Sequence, residues 1–174
     1  MPYLVNISDY KPFYIQTDSD AEAIDTATQW GLVAKTNPYP ALPTPKEPYS
    51  NDFHDEDGDD ENNDELHYES FTFEVEFYVK AYDNGNTPAV EVLRSQMSAF
   101  FEHIRRGEFK VYDAYTGLGR RKVRYADYEE GKFKARNDWA RLTFTVTFKV
   151  NDPVTAMRYL NGQITPILTT AEEG

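Results

Sequence analysis

"YESFTFEVEFYVKAY", residues 68–82, alternates apolar and polar side chains without a break. Phe71, Phe73, Val75, Phe77, Val79 and Ala81 fall on one face, and Thr72, Glu74, Glu76, Tyr78 and Lys80 on the other. A period of two is the pattern of a strand with one face on a core. "WARLTFTVTFKV", residues 139–150, repeats it. Leu142, Phe144, Val146, Phe148 and Val150 point in, Arg141, Thr143, Thr145, Thr147 and Lys149 point out, and "NDP" ends the run. If these strands pair, Glu74 and Glu76 are expected opposite Arg141 and Lys149, a favourable cross-strand arrangement.

Between them lies the clearest helical pattern, "TPAVEVLRSQMSAFFEHIRRG", residues 87–107. Thr87 is placed to cap, Pro88 takes the first helical position and Glu91 sits in the first turn. Val90, Leu93, Met97, Phe100, Phe101 and Ile104 form one apolar stripe at spacings of three and four. Arg105 and Arg106 suit the negative end of the helix dipole, and Gly107 is the expected stop. "EFKVYDAY" (108–115), the turn "TGLG" (116–119) and "RRKVRYADY" (120–128) then read as a hairpin. "EEGKFKARND" reads as a further turn with a short strand, and the tail from Val154 shows no strong period.

The upstream part is less regular. "YLVNI" and "KPFYIQT" are short strand candidates, and residues 18–30 a short helix with Asp18, Ser19 and Asp20 as caps and Gly31 as its stop. "LVAKT" is extended. Prolines at 38, 40, 43, 45 and 48 forbid a helix. Nine of the fourteen residues from Asp52 to Glu65 are acidic. Residues 37–66 are therefore expected to be a stiff, surface-hugging arm without regular structure, joined to an acidic loop. The resulting organisation is one domain: strands and a short helix over 1–36, the arm and loop over 37–66, a core over 67–153 with its helix at 88–106, and a tail over 154–174. The fold class is α+β, mainly antiparallel β, with one packed amphipathic helix.

The chain has 174 residues, enough for a sizeable core, and aromatic residues make up 15% of it. It has no cysteine, hence no disulfide, Cys-based zinc site or thiol nucleophile. No apolar run reaches the ~18 residues of a membrane span, and the first residues do not read as a secretory signal. No nucleophile elbow, P-loop or dinucleotide fingerprint is present, and no cofactor or enzymatic activity is expected. The net charge is −12. Residues 1–66 carry 15 acidic and 3 basic side chains, while residues 67–174 carry 15 of each. The whole surplus thus sits in the N-terminal part, largely in the acidic run, and disfavours wrapping around phosphates.

Two clusters are candidate sites. In the acidic run, Asp55, Asp57 and Asp59 fit the first positions of a calcium loop. Asp60 stands where that loop needs glycine, and Leu66 where it needs a bidentate glutamate. The EF-hand is excluded, and a looser carboxylate site or a solvated loop remain. Arg120, Arg121, Lys122 and Arg124, beside Tyr125, form the basic cluster. Alternation sends Arg121 and Val123 to one face and Lys122 and Arg124 to the other. The cluster reads as a solvated hairpin strand, as a nucleic-acid surface, or as a contact for acidic residues of a neighbouring copy. On the last reading Asp57, Asp59, Asp60 and Glu61 are its counterparts, or face a lumen.

The order long strand, capped helix, hairpin, long strand resembles the β-sandwich-plus-helix domain of phage tail proteins, most like the N-terminal domain of distal tail proteins. The matching positions are Phe109, Tyr112 and Asp113 in the hairpin and Asn151, Asp152 and Pro153 after the last strand, with "WGLV" and "DEDGDDE" upstream. The resemblance spans roughly residues 30–153. It implies a tail-tube-like sandwich or split barrel, a homohexameric ring, and a virion component assembled in the host cytoplasm. It further implies contacts with tail tube and tail tip or hub proteins, and passage of DNA without specific binding. The sequence departs from the pattern by carrying no carbohydrate-binding-like second domain and by its larger arm and acidic loop. A tube protein, a completion protein or another baseplate component stays open. The alternative class is a monomeric binding module, using the basic hairpin for nucleic acid or the acidic loop for calcium.

Overall fold

The computed structural model describes residues 11–36, 44–46, 50–51, 60–61 and 67–167. In chain order its elements are β1 (Phe13–Thr17), β2 (Ile24–Asp25), α1 (Thr26–Trp30), β3 (Val33–Thr36), β4 (Ser50–Asn51) and β5 (Asp60–Glu61). They continue with β6 (Phe71–Tyr82), α2 (Ala89–Ile104), β7 (Phe109–Asp113), β8 (Leu118–Ala135), β9 (Trp139–Val150), β10 (Met157–Leu160) and β11 (Gln163–Pro166). The mainly antiparallel class with a packed helix is as read from the sequence. Seven strands form one sheet in the order β2-β1-β7-β8-β9-β6-β3, with β10-β11 and β4-β5 as separate two-stranded ladders.

β6 and β9 pair flush over their whole length, from Phe71 opposite Val150 to Tyr82 opposite Trp139. Both inward sets meet α2. Phe77 is fully buried, and its ring lies 5.9 Å from Phe13, 5.4 Å from Phe100 and 5.6 Å from Phe144. Edge-on and tilted aromatic packing of this kind adds to the area it removes from water. Leu93, Met97, Phe100 and Ile104 carry the buried stripe of α2, whereas Val90 is exposed and Phe101 half-buried at the sheet's flank.

The structure corrects several local expectations. The N-cap of α2 is Pro88, expected as its first helical residue, and not Thr87; Pro88 makes no side-chain capping bond, and Asp83 Oδ1 accepts the Ala89 N–H at 2.7 Å, reaching back across the turn. Asp25, rather than residues 18–20, caps α1 through the Ala27 N–H, and Gly31 ends it in the left-handed region at φ 72°. Of residues 129–138, expected to be a turn with a short strand, 129–135 continue β8, which runs 18 residues, and the turn is confined to 136–138 before β9. Gly131 belongs to a bulge against β9, where a Cβ would come within 2.6 Å of the Thr143 carbonyl oxygen. The patternless tail is a hairpin. Asn161 (φ 51°) and Gly162 (φ 80°) make its two-residue turn, and Met157 and Ile164 are buried. Within the arm, β4 pairs with β5 and Pro45 bridges Tyr68, so these pieces are hydrogen-bonded rather than irregular. "YLVNI" and most of residues 37–66 lie outside the described residues.

The C-terminal hairpin covers the side of β1 and β7 away from α2. Tyr159 stacks on Tyr14 at 4.2 Å, the Gln16 side chain accepts the Ile164 N–H at 2.9 Å, and Gly119 admits the Met157 carbonyl. The same side of β8, β9 and β6 faces outward.

Candidate functional site

The basic cluster does not form one surface. β7 and β8 shift register so that Phe109 faces Val123 while Val111 faces Arg120. The extra residue on β8 is absorbed at Lys122, which takes a left-handed φ of 52°. Beyond a bulge the parity of a strand reverses, so Arg120, not Arg121, shares the inward side with Val123. Arg120 is 2% exposed, with one guidinium nitrogen donating to the Gly119 carbonyl at 3.1 Å. Arg121 is held by Asp152, Nε to Oδ2 at 2.6 Å. Burial raises the Asp152 carboxyl, but hydrogen bonds from Arg121, Thr155 and Val154 outweigh it and bring the pKa down to about 2. Asp152 therefore ties the start of β8 to the segment after β9. Of the four cations Lys122 and Arg124 are exposed, Arg121 is half-exposed in its pair with Asp152, and Arg124 lies opposite Lys149.

In the acidic run, Asp60 and Glu61 form the short strand β5 against Ser50–Asn51. Asp55, Asp57 and Asp59 lie outside the described residues. Among the described residues no group of three or more His, Asp or Glu side chains is arranged to hold a metal ion.

The register assembles something the sequence reading missed, a charge-banded outer face. Opposite Arg141 stands Lys80 on one side and Lys134 on the other, so three cations lie in a row across β6, β9 and β8. The expected pairing of Glu74 and Glu76 with Arg141 and Lys149 does not occur. Glu74 and Asp127 flank Thr147, and Glu76 and Glu129 flank Thr145. An acidic band thus crosses the middle of the face, about 13 Å from the basic row at ~3.3 Å per residue. Two further cations, Arg124 and Lys149, flank it on the other side. Like charges directly opposite each other weaken a sheet. Aromatic rings support the basic row: Lys80 Nζ lies 4.9 Å from the Trp139 ring centre and 5.2 Å from that of Tyr82, and the Arg141 guanidinium 5.6 Å from Trp139. The signal was present in the sequence. Two twelve-residue alternating runs paired end to end place Lys80 opposite Arg141.

On the inner flank, Phe101, Tyr125, Tyr128, Met97, Ser98 and Arg94 line a groove of about 310 Å³ between α2 and β8. Burial raises the pKa of both tyrosines. Arg94 bridges to Glu130 at 2.6 Å.

This fold has a solved counterpart. It is similar to the crystal structure of SPP1 Dit (gp 19.1), described as a paradigm of the hub adsorption apparatus in phages infecting Gram-positive bacteria. The TM-score is 0.54 at 14% sequence identity, over 84% of this chain and 52% of that one. The chain thus spans about half the length of that protein, and at this identity the likeness establishes the fold. No protein-family model matches the sequence, and no curated protein does. Among the described residues no helix is long and apolar enough to cross a membrane.

Proposed function

We propose that this protein is a structural component of a phage tail, a ring-forming protein of the distal tail or baseplate that joins the tail tube to the tip. The observation that supports this reading is the fold likeness to SPP1 Dit, a hub protein, across 84% of the chain. The order of elements and the Asp113 and Asp152 positions read from the sequence point the same way. On this reading six copies close a ring assembled in the host cytoplasm, the tube and the tip or hub are its neighbours, and DNA passes without specific binding. The acidic surplus of the chain suits a surface beside which phosphates must not linger. Catalysis has no part in it. The nucleic-acid reading of the hairpin loses its main support, because Arg120 is buried and Arg121 is engaged by Asp152.

Immunogold labelling of phage particles that carry this chain tests the assignment. Gold at the tail end distal to the capsid is expected. Particles without label, with the protein found only in the soluble lysate, would remove the structural role.

A further inference from the structure

The row Lys80, Arg141 and Lys134 is costly in an isolated subunit, because each cation faces another across the ladder. Among the described residues none of the three is ion-paired with a carboxylate. Glu76 is held by Lys35 at 3.0 Å and Glu130 by Arg94 at 2.6 Å. Arg141 and Lys134 are exposed, the Trp139 ring lies beside both Lys80 and Arg141, and Tyr82 lies beside Lys80. Such a site fits a strand or loop of carboxylates. The chain carries one: nine acidic residues among the fourteen from Asp52 to Glu65, the source of most of the net charge.

The described residues that flank the acidic run and the basic row lie toward opposite ends of β6. The acidic run is rooted beside the start of β6. There Lys46 N–H donates to the His67 carbonyl at 2.7 Å, and Glu69 N–H to that of Thr44 at 2.9 Å. Lys80 lies nine residues beyond Phe71 along β6, about 30 Å away at ~3.3 Å per residue. A run that leaves the chain near one end of β6 and a row near the other suit a head-to-tail match between copies. A contact of this heterologous kind propagates from copy to copy, and closes into a ring when the rotation between copies closes. Resting on the ring reading above, we propose that the acidic segment Asp52–Glu65 of one copy docks on the Lys80–Arg141–Lys134 row of the next, and that this contact sets the direction in which copies add.

The test uses two full-length variants, each followed by sedimentation velocity with a thermal melt as the folding control. In the first, the row is reversed (Lys80→Glu, Lys134→Glu, Arg141→Glu). In the second, the run is neutralised (Asp and Glu to Asn and Gln, Asp55 to Glu65). Wild type is expected to assemble, and each variant alone to stay monomeric, its dissociation constant raised about 100-fold or more. Mixed in equal amounts, the two variants have one intact run and one intact row between them, and are expected to stop at a dimer. Raising salt from about 0.1 M to about 1 M, which shortens the Debye length from about 10 Å to about 3 Å, should dissolve that dimer. If wild type assembles and the row-reversed variant assembles equally well, the proposal is overturned while the ring reading stands. If wild type is monomeric at every concentration, both fall. A melt lowered equally in both variants with no change in assembly means that the run folds onto its own row, which also overturns the proposal. So does duplex DNA binding to wild type that the row reversal abolishes while assembly is unaffected. Should the triple reversal not fold, Arg141→Gln alone reads the same contact as a smaller, salt-dependent loss of assembly.

Discussion

Replacing Phe77 with alanine tests the core on which the rest depends. Phe77 is fully buried at the junction of β6, β1, β9 and α2, with the rings of Phe13, Phe100 and Phe144 all within 6 Å of its own. Truncation removes the ring's burial and leaves a cavity that three rigid neighbours on three elements cannot all close. Buried Phe-to-Ala changes cost about 3–5 kcal/mol, and loss of three edge-on or tilted partners places this site in the upper half of that span. A domain of this size loses about 2–4 °C of melting temperature per kcal/mol, so a fall of about 8–16 °C follows from a loss of about 4 kcal/mol. Urea denaturation with tryptophan fluorescence reads it directly, since Trp30 packs 5.3 Å from Phe100 in the same cluster. Phe77→Leu, which keeps most of the volume, should cost less than about 1.5 kcal/mol. Tyr115→Ala, at a residue 79% exposed, should change stability by no more than about 0.5 kcal/mol. A Phe77→Ala loss below about 1 kcal/mol, or one matched by Tyr115→Ala, would refute this arrangement of the core.

Three further outcomes are expected. Asp83→Ala removes the side chain that accepts the first N–H of α2 and should cost about 1 kcal/mol, whereas Thr87→Ala should cost a few tenths; the reverse ranking in urea melts would restore Thr87 as the cap. Asp152 has its carboxyl pKa depressed to about 2 in the folded chain, so its contribution is present above pH ~4 and is lost as pH falls through 2. Discounted for the half-exposed Arg121, it is worth about 1–2 kcal/mol, and Asp152→Asn should flatten the acid limb of stability against pH. Gly119→Val sets a side chain against the Met157 carbonyl, 2.8 Å from where its Cβ would stand. It should lift the C-terminal hairpin, seen as faster amide exchange at Ile164 while exchange across β6 and β9 is unchanged.

What was legible in the sequence was period. Phe71–Tyr82 and Trp139–Val150 alternate because each has one wet and one dry face, and α2 shows its stripe because it too has one dry side. What was hidden depends on partners distant in the chain. Nothing local to "GRRKVRY" announces that β8 carries an extra residue against β7, yet that residue turns Arg120 inward and ties Arg121 to Asp152. Thr87 has the chemistry of a cap, but the turn brings Asp83 closer. Gly131 looks like a turn residue and instead marks a close approach of two strands. The Asn161-Gly162 turn has a local signal, but the strands it joins are only four residues each, too short to show a period. The basic row was missed for want of register, since each of its members looks unremarkable in its own segment.

The central claim is assembly, and native mass spectrometry of the purified wild-type chain measures it most directly. The account predicts one dominant closed species at micromolar concentration, a hexamer, that dissociates as salt rises. A protein that remains strictly monomeric up to the highest soluble concentration, at low salt, would contradict it.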